Sequence, residues 1–113
     1  MKVFHIDSEK TFRGGQRQVI YLLEGLQKRG IENFLFCPSQ SPLFERAEKV
    51  KKIPVAMLCE FDIFSAFRIA KFINRENPDI LHCHSAHALS VGLIAKKIAS
   101  HKPALIAARR VIF

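Results

Sequence analysis

The sequence contains no tryptophan, one tyrosine and three widely spaced cysteines. No apolar run approaches the roughly 18 residues that a membrane-spanning helix needs, and the first residues contain no apolar core of the signal-peptide kind. Cys37, Cys59 and Cys83 form no CxxC pair and lie in apolar runs, which is typical of reduced, buried thiols. We therefore expect a cytoplasmic chain without disulfides.

Acidic residues are also few: 10 Asp and Glu stand against 18 Lys and Arg, which gives a net charge of +8. An excess of this kind favours an anionic partner, such as a nucleic acid, a phosphorylated small molecule or an anionic lipid surface. The basic residues form no continuous block, so the charge alone selects none of these. The ten phenylalanines fall mostly at core spacing rather than among basic residues, and we therefore predict no nucleic-acid partner.

Apolar strand-like segments alternate with helical periodicity along the chain. The predicted strands are 2–6, 33–37, 54–58, 79–83 and 104–108, and the predicted helices are 16–29, 41–52, 63–76 and 86–100. Strands separated by helices form parallel units with right-handed crossovers, and continuously apolar strands are covered on both faces. At 113 residues the chain accommodates one domain. We predict an α/β fold, a Rossmann-like three-layer α/β/α domain over residues 1–113, with a five-stranded parallel sheet of order 3-2-1-4-5.

The segment ILHCHSAHALS contains three histidines within six positions. Ligands of such sheets bind at the carboxyl ends of the strands where the order reverses, here between strands 1 and 4. Because side chains alternate along a strand, His82 and His84 share one face, with His82 buried and hydrogen-bonded. His84 is the candidate catalytic residue, with a loop-fixing hydrogen bond as the alternative. Ser85 and His87 follow at the same cleft, where His87 is either a ligand contact or a solvated side chain.

A zinc site built from His82, His84 and His87 is the metal alternative. Structural zinc sites usually have four ligands and catalytic sites have three that converge, whereas the neighbouring thiol points to the other face of the strand. We therefore predict no metal and no cofactor.

The segment RGGQ precedes the first helix. Gly14 and Gly15 would let the main chain approach an anion at the helix N-terminus, beside the charge of Arg13, although a Gly-Gly pair is often only a turn. The segment matches neither GxGxxG nor the Walker pattern. The acidic residue about 20 positions later is Glu32, before the second strand rather than after it, which argues against a nicotinamide or flavin enzyme. Arg109 follows the fifth strand, either at the rim of the same cleft or as a solvated chain end.

Four segments resemble the amino-terminal domain of GT-B type glycosyltransferases of family 4: KVFHIDSEKTFRGGQRQVIYLLEGLQKRGIENFLFCP, SPLFERAEKVKKIPV, NPDILHCHSAHALSVGLIA and RRVIF. The resemblance implies sugar transfer from a nucleotide-sugar donor to an acceptor, either a cell-envelope glycan or a lipid-linked sugar. It places Gly14 and Gly15 at the donor phosphates and His84 near the reacting sugar and acceptor. His87 and Arg109 are weaker counterparts of substrate-binding residues.

The sequence departs from the family pattern in two places. RGI stands where the family usually has RGH, and the carboxyl-terminal domain, which supplies most of the donor site, has no counterpart here. We expect an apparently truncated, acceptor-side domain that is inactive alone. Peripheral contact with anionic lipid at the inner face of the membrane is a further expectation, made through basic helix ends at Lys28, Arg29, Lys49, Lys51, Lys52, Lys96 and Lys97.

A non-catalytic docking domain that acts with a partner chain is the alternative function. An open sheet edge at strand 5 and the apolar tail VIF would favour self-association there. A response-regulator receiver is disfavoured because AMLCEFD has no aspartate at the phosphoacceptor position and no lysine follows strand 5.

Overall fold

Five strands alternate with four helices in the computed structural model, which describes residues 1–11, 14–59 and 62–107. The elements are β1 (Lys2–Ile6), α1 (Gly14–Lys28), β2 (Glu32–Cys37), α2 (Pro42–Arg46), β3 (Lys51–Pro54), α3 (Ile63–Glu76), β4 (Ile80–Cys83), α4 (Ala86–Ile98) and β5 (Ala104–Ala107). All four strand pairs are parallel, in the order β3-β2-β1-β4-β5. The predicted fold class and strand order are confirmed.

The two faces of the sheet bury separate apolar layers because side chains alternate along each strand. Phe4 packs against Phe34 and Phe36, with ring centroids 5.0 and 4.8 Å away, in the layer covered by α3 and α4. Leu35 and Cys37 face the opposite way, into the layer covered by α1 and α2. The result is the predicted three-layer arrangement.

The residues before α3 and α4 hold the two helix N-termini by side-chain capping. The Asp62 carboxylate accepts hydrogen bonds from the backbone N–H groups of Ser65 (3.1 Å) and Leu58 (3.0 Å). Desolvation acts to raise the pKa of Asp62, but these hydrogen bonds prevail and lower it below its usual value. Ser85 caps α4 in the same way and accepts from the N–H of Ala88 at 3.1 Å.

The third strand differs from its prediction, which placed a helix over 41–52 and the strand over 54–58. The helix ends at Arg46 and the strand occupies Lys51–Pro54. Ala47 is extended and Lys49 has a φ of 60°, so the chain leaves the helix early. Lysines suit an edge strand because they discourage further pairing. The strand position is therefore decided by pairing with β2, which local propensity does not encode.

Two predictions about burial are wrong in part. Cys37 and Cys83 are buried, and burial raises their thiol pKa values to about 11 and about 12, but Cys59 is exposed. Phe64 and Phe67 are also exposed rather than in the core. Within the described ranges, no helix has both the length and the apolar character needed to cross a membrane.

Candidate functional site

The carboxyl ends of β1 and β4 meet at the edge where the strand order reverses. His5 is paired with His82 in the register, and the His84 N–H donates to the carbonyl of Ile6 at 2.9 Å. Further along the two loops, the hydroxyls of Ser8 and Ser85 form a hydrogen bond of 2.7 Å. The loops that follow β1 and β4 are therefore tied together, as the predicted strand order requires.

Five of the seven predicted site residues lie in described parts of the chain. Gly14 and Gly15 are the first two residues of α1, and a side-chain carbon added at Gly14 would meet open space. Ser85 caps α4, and the His87 ring in the first turn contacts the carbonyl oxygen of Cys59 through Nε2. His84 lies just past β4. The other two residues, Arg13 and Arg109, lie outside the described residues.

His84 is buried, with 2 % of its surface exposed, and its ring is hydrogen-bonded to His5 at 3.0 Å. A hydrogen bond was one of the two predicted roles, but His5 was not predicted as the partner. His82 is half-buried and therefore more exposed than His84, so the predicted burial of His82 is only partly correct. Its ring centroid is 4.0 Å from that of His84. Among the described elements, α1 and α2 pack mainly on β2, and part of the His82 surface stays exposed.

Asn33 on β2 determines which ring nitrogens of the histidines carry protons. Its Nδ2 donates to the carbonyl of Ile31 at 3.1 Å, so its Oδ1 must accept from His5 Nε2–H at 3.0 Å. His5 Nδ1 is then an acceptor and receives the proton of His84 Nε2. In neutral His84, Nδ1 is consequently the basic nitrogen.

Burial keeps His5 neutral. Desolvation lowers the pKa of His5 from 6.5 to about 4, the hydrogen bond with Asn33 opposes this change, and the charge of His82 adds to it. Near neutral pH the His5 ring is therefore uncharged: it keeps its two hydrogen bonds and does not act as a general acid.

Asp7 and Gln16 link the end of β1 to the first turn of α1, and both are buried. The Asp7 carboxylate accepts from the Glu9 N–H at 3.0 Å and from Gln16 Nε2 at 3.3 Å. Sequence reasoning did not select either residue as part of the site. The sequence did contain a signal for Asp7, because it is an acidic residue directly after a buried strand.

The histidines that converge are His5, His82 and His84, whose ring nitrogens lie within 4.8 Å of one another. This set replaces the His82, His84 and His87 combination considered from the sequence. Both nitrogens of His5 are engaged in hydrogen bonds, with His84 and with Asn33. A metal ligand needs a ring nitrogen directed at the ion, so the geometry favours a hydrogen-bonded cluster over a coordination site.

Comparison with known proteins gives a family and a fold. Residues 12–108 match the model of Glycosyltransferase Family 4, and no curated protein matches the chain. The apo form of the lipopolysaccharide outer core galactosyltransferase WaaB superposes with a TM-score of 0.72 at 13% identity, over 95% of this chain and 32% of that one. A glycosyltransferase from Rickettsia africae gives 0.71 at 17% identity, over 94% and 28%. Anabaena HepE in complex with UDP gives 0.73 at 16% identity, over 95% and 29%.

These structural likenesses establish the fold, and the chain spans about a third of the length of the structures it matches. The family model covers most of the chain, including the Gly-Gly segment and the histidines after β4. The chain therefore belongs to glycosyltransferase family 4.

Proposed function

We propose that this domain is the acceptor side of an enzyme that moves a sugar from a nucleotide-sugar donor to a glycan or lipid-linked acceptor, and that a separate donor-binding half is required for turnover. The observation that carries the proposal is the edge where β1 and β4 end: His84 is hydrogen-bonded to His5 there, and Asp7, two residues after His5, is bonded to Gln16 in the first turn of α1. HepE, one of the structures with the same fold, binds UDP, which supports a nucleotide-linked donor.

Gly14 and Gly15 are proposed to face the donor diphosphate. The first N–H groups of α1 have no partner within the helix, and together with the helix dipole they favour an anion there. A side-chain carbon at Gly14 would have no described atom within 4 Å, which leaves room for a phosphate on that side of the main chain. Arg13 would add a positive charge next to these amides.

His84 is proposed to orient or deprotonate the reacting hydroxyl, with Ser85, His87 and Arg109 binding the substrates around it. With its proton on Nε2 bonded to His5, the neutral ring has Nδ1 as its basic atom, which is the atom that takes up a proton in general-base catalysis. His5 and Asn33 act through this ring and are positioning residues in the proposal.

The test compares two preparations: the protein isolated from its own cells with an antibody to this domain, and the 113-residue chain alone. Each is assayed for transfer of labelled sugar from a panel of UDP- and GDP-sugars to a cell-envelope extract. We expect transfer by the native preparation and none by the chain alone. Transfer by the chain alone would contradict the need for a donor half, and failure of the native preparation would favour a docking domain.

Substitution in the native enzyme tests the role of the histidine. His84→Ala is expected to lower kcat by at least about 100-fold, the usual contribution of a positioned acid or base. Tyr21→Ala, on the exposed side of α1, is the matched control and should leave kcat unchanged. Equal kcat values for His84→Ala and the control would show that His84 has only a packing role.

The docking alternative has one supporting observation, the edge strand β5. It pairs with β4 on one side, and Ile106 is 44% exposed. Such an edge can pair with a second strand, so we propose self-association there for a docking domain in the cytoplasm. Sedimentation that shows a monomer at all concentrations would contradict it.

A further inference from the structure

A buried pair of side chains connects the end of β1 to the first turn of α1. Asp7 directly follows β1 and has no exposed surface, and Gln16 is 3% exposed. Gln16 Nε2 donates to the Asp7 carboxylate at 3.3 Å. Burying a carboxylate and an amide costs free energy unless they are hydrogen-bonded, and neither residue contacts the reacting groups in the proposed sugar transfer. The pair therefore calls for a role of its own at this edge of the sheet.

Asp7 has a fixed position relative to the sheet. Its N–H donates to the carbonyl of Phe36 on β2 at 3.0 Å, and its carboxylate accepts from the N–H of Glu9 at 3.0 Å. The preceding residue, Ile6, accepts from the N–H of His84 at 2.9 Å. The Asp7 carboxylate is consequently anchored at the point where β1, β2 and the loop after β4 are tied together.

Gln16 carries the first side chain of α1, because the helix begins with Gly14 and Gly15. Glycine has wide backbone freedom and no side chain that could pack against a neighbour. The direction of the first amides of α1 must therefore be set by other groups. The hydrogen bond from Gln16 to Asp7 ties this turn to β1 directly after the two glycines.

We propose that Asp7 and Gln16 form a positioning pair that aims the first N–H groups of α1 at the donor diphosphate, an inference that rests on the proposed function. A helix N-terminus binds an anion through N–H groups that point at it. A binding group keeps such a direction when a second layer of hydrogen bonds holds it. Because both side chains are buried, they act on the donor through the main chain of Gly14 and Gly15 and do not touch it.

The test measures binding of inorganic pyrophosphate to the 15N-labelled 113-residue chain, followed through the backbone amide signals in an NMR titration. Pyrophosphate is the probe because it represents the diphosphate without the nucleoside or the sugar. We expect saturable shifts of the Gly14 and Gly15 amides in the parent chain. No shift at these amides would refute the diphosphate site, and the role of the pair with it.

Two substitutions of Gln16 break the pair in different ways. Gln16→Leu removes the amide donor without adding charge, and Gln16→Glu places a second carboxylate against that of Asp7. Each should weaken pyrophosphate binding by roughly 10-fold, the lower end of the loss seen when an orienting partner behind a binding group is removed. Affinities equal to that of the parent chain would overturn the positioning role and leave the diphosphate site intact. A loss with Gln16→Glu alone would show that charge rather than position matters, and would also overturn it.

Reversal of the pair tests the hydrogen bond itself. In the double variant Asp7→Asn with Gln16→Glu, the new amide oxygen accepts from the Glu9 N–H and the new amide N–H donates to the new carboxylate. Both hydrogen bonds of the parent chain are then kept, with donor and acceptor exchanged in one of them. We expect the pyrophosphate affinity to return to about that of the parent chain. An affinity as low as that of Gln16→Glu alone would contradict the pairing.

A control variant separates positioning from a loss of stability. Asn74, in the last turn of α3, accepts hydrogen bonds from the N–H groups of Ser100 and His101 at 2.8 and 3.2 Å. This turn lies at the opposite edge of the sheet, where the strands begin. Asn74→Ala should lower the stability measured by urea unfolding and leave pyrophosphate binding unchanged. An equal loss of pyrophosphate affinity in this variant would assign the effect of the pair to stability alone.

Kinetics of the native enzyme distinguish failure of the pair from failure of sugar transfer. Gln16→Leu should raise the KM for the sugar nucleotide by roughly the same 10-fold and leave the KM for the acceptor unchanged. An unchanged donor KM in an enzyme that transfers sugar would overturn the pair alone. Absence of transfer by the parent enzyme, with pyrophosphate results as expected, would refute sugar transfer and retain a pair that positions an anion site.

Discussion

Mild acid should destabilise this domain through His5, a histidine with no exposed surface. Desolvation by burial lowers the pKa of His5 to about 4, against 6.5 for an ordinary histidine. The unfolded chain therefore binds a proton at His5 below about pH 6.5, and the folded chain does so only near pH 4. Between these values the unfolded state binds more protons, so the free energy of unfolding falls as the pH falls.

The size of the effect follows from the two pKa values. Each pH unit within the window changes the free energy of unfolding by at most about 1.4 kcal/mol. From pH 7 to pH 4.5 the contribution of His5 sums to roughly 2 kcal/mol, a large share of the stability of a small domain. Asp62 and Glu76, whose pKa values are lowered in the folded chain, stabilise it above their unfolded pKa values. Their contribution is lost mainly below the window of His5, and both carboxyl groups are also present in a variant of His5, so the comparison with such a variant isolates His5.

The assay is urea unfolding of the parent chain and of His5→Gln at intervals between pH 4.5 and pH 7. Glutamine retains an N–H donor for Asn33 and does not titrate. We expect the parent chain to lose roughly 2 kcal/mol more than the variant across this range. Equal pH dependence of the two proteins would refute the reasoning, because the proton taken up on unfolding would then not belong to His5.

Three further predictions concern packing, capping and tautomers. Gly92→Ala should cost about 1–3 kcal/mol of stability, because the added carbon would lie 2.6 Å from the buried sulfur of Cys83. Gly25→Ala places its carbon in open space and should add about 0.5–1 kcal/mol of stability. Urea unfolding that ranks the two variants in the other order would contradict this prediction. Asp62→Ala should cost about 1 kcal/mol at pH 7, and the loss should shrink as the pH falls through the lowered pKa of the parent carboxyl; a loss independent of pH would argue against a charged cap. Long-range 1H–15N spectra should show protons on Nε2 of both His5 and His84, and a proton on Nδ1 of either neutral ring would contradict the hydrogen-bond chain.

The strand order of the sheet could be predicted from the sequence, because the rules that govern parallel strands connected by helices are general. Alternation of apolar strands with helices leaves few parallel topologies, and the observed order is the predicted one. The error at β3 has an equally plain cause. Residues 47–52 have helical propensity, but Lys51 and Lys52 pair with Phe34 and Leu35 of β2, and pairing outweighs propensity at an edge.

The candidate site could be predicted only where its residues are neighbours in sequence. Three histidines close together drew attention to the loop after β4, but His5 lies 79 positions from His84, and Asn33 comes from a third strand. Part of the signal was present, since the predicted order places His5 beside β4, but the register that puts it on the same face as His82 is known only from the structure. The exposure of Phe64 and Phe67 is a different failure of the expected core spacing, because periodicity locates the faces of a helix but not which of two apolar faces meets the sheet.

The hydrogen-bond chain from Asn33 through His5 to His84 links β2, β1 and the residue that follows β4. A buried polar group left without its partner costs about 1–3 kcal/mol, so the members of such a chain depend on one another, and losing one leaves the others unsatisfied. This dependence explains how the nearly buried ring of His84, just past β4, can have a single tautomer. It also means that the geometry at His84 is set on β2, by the amide of Asn33, far in sequence from the histidines that first marked the site.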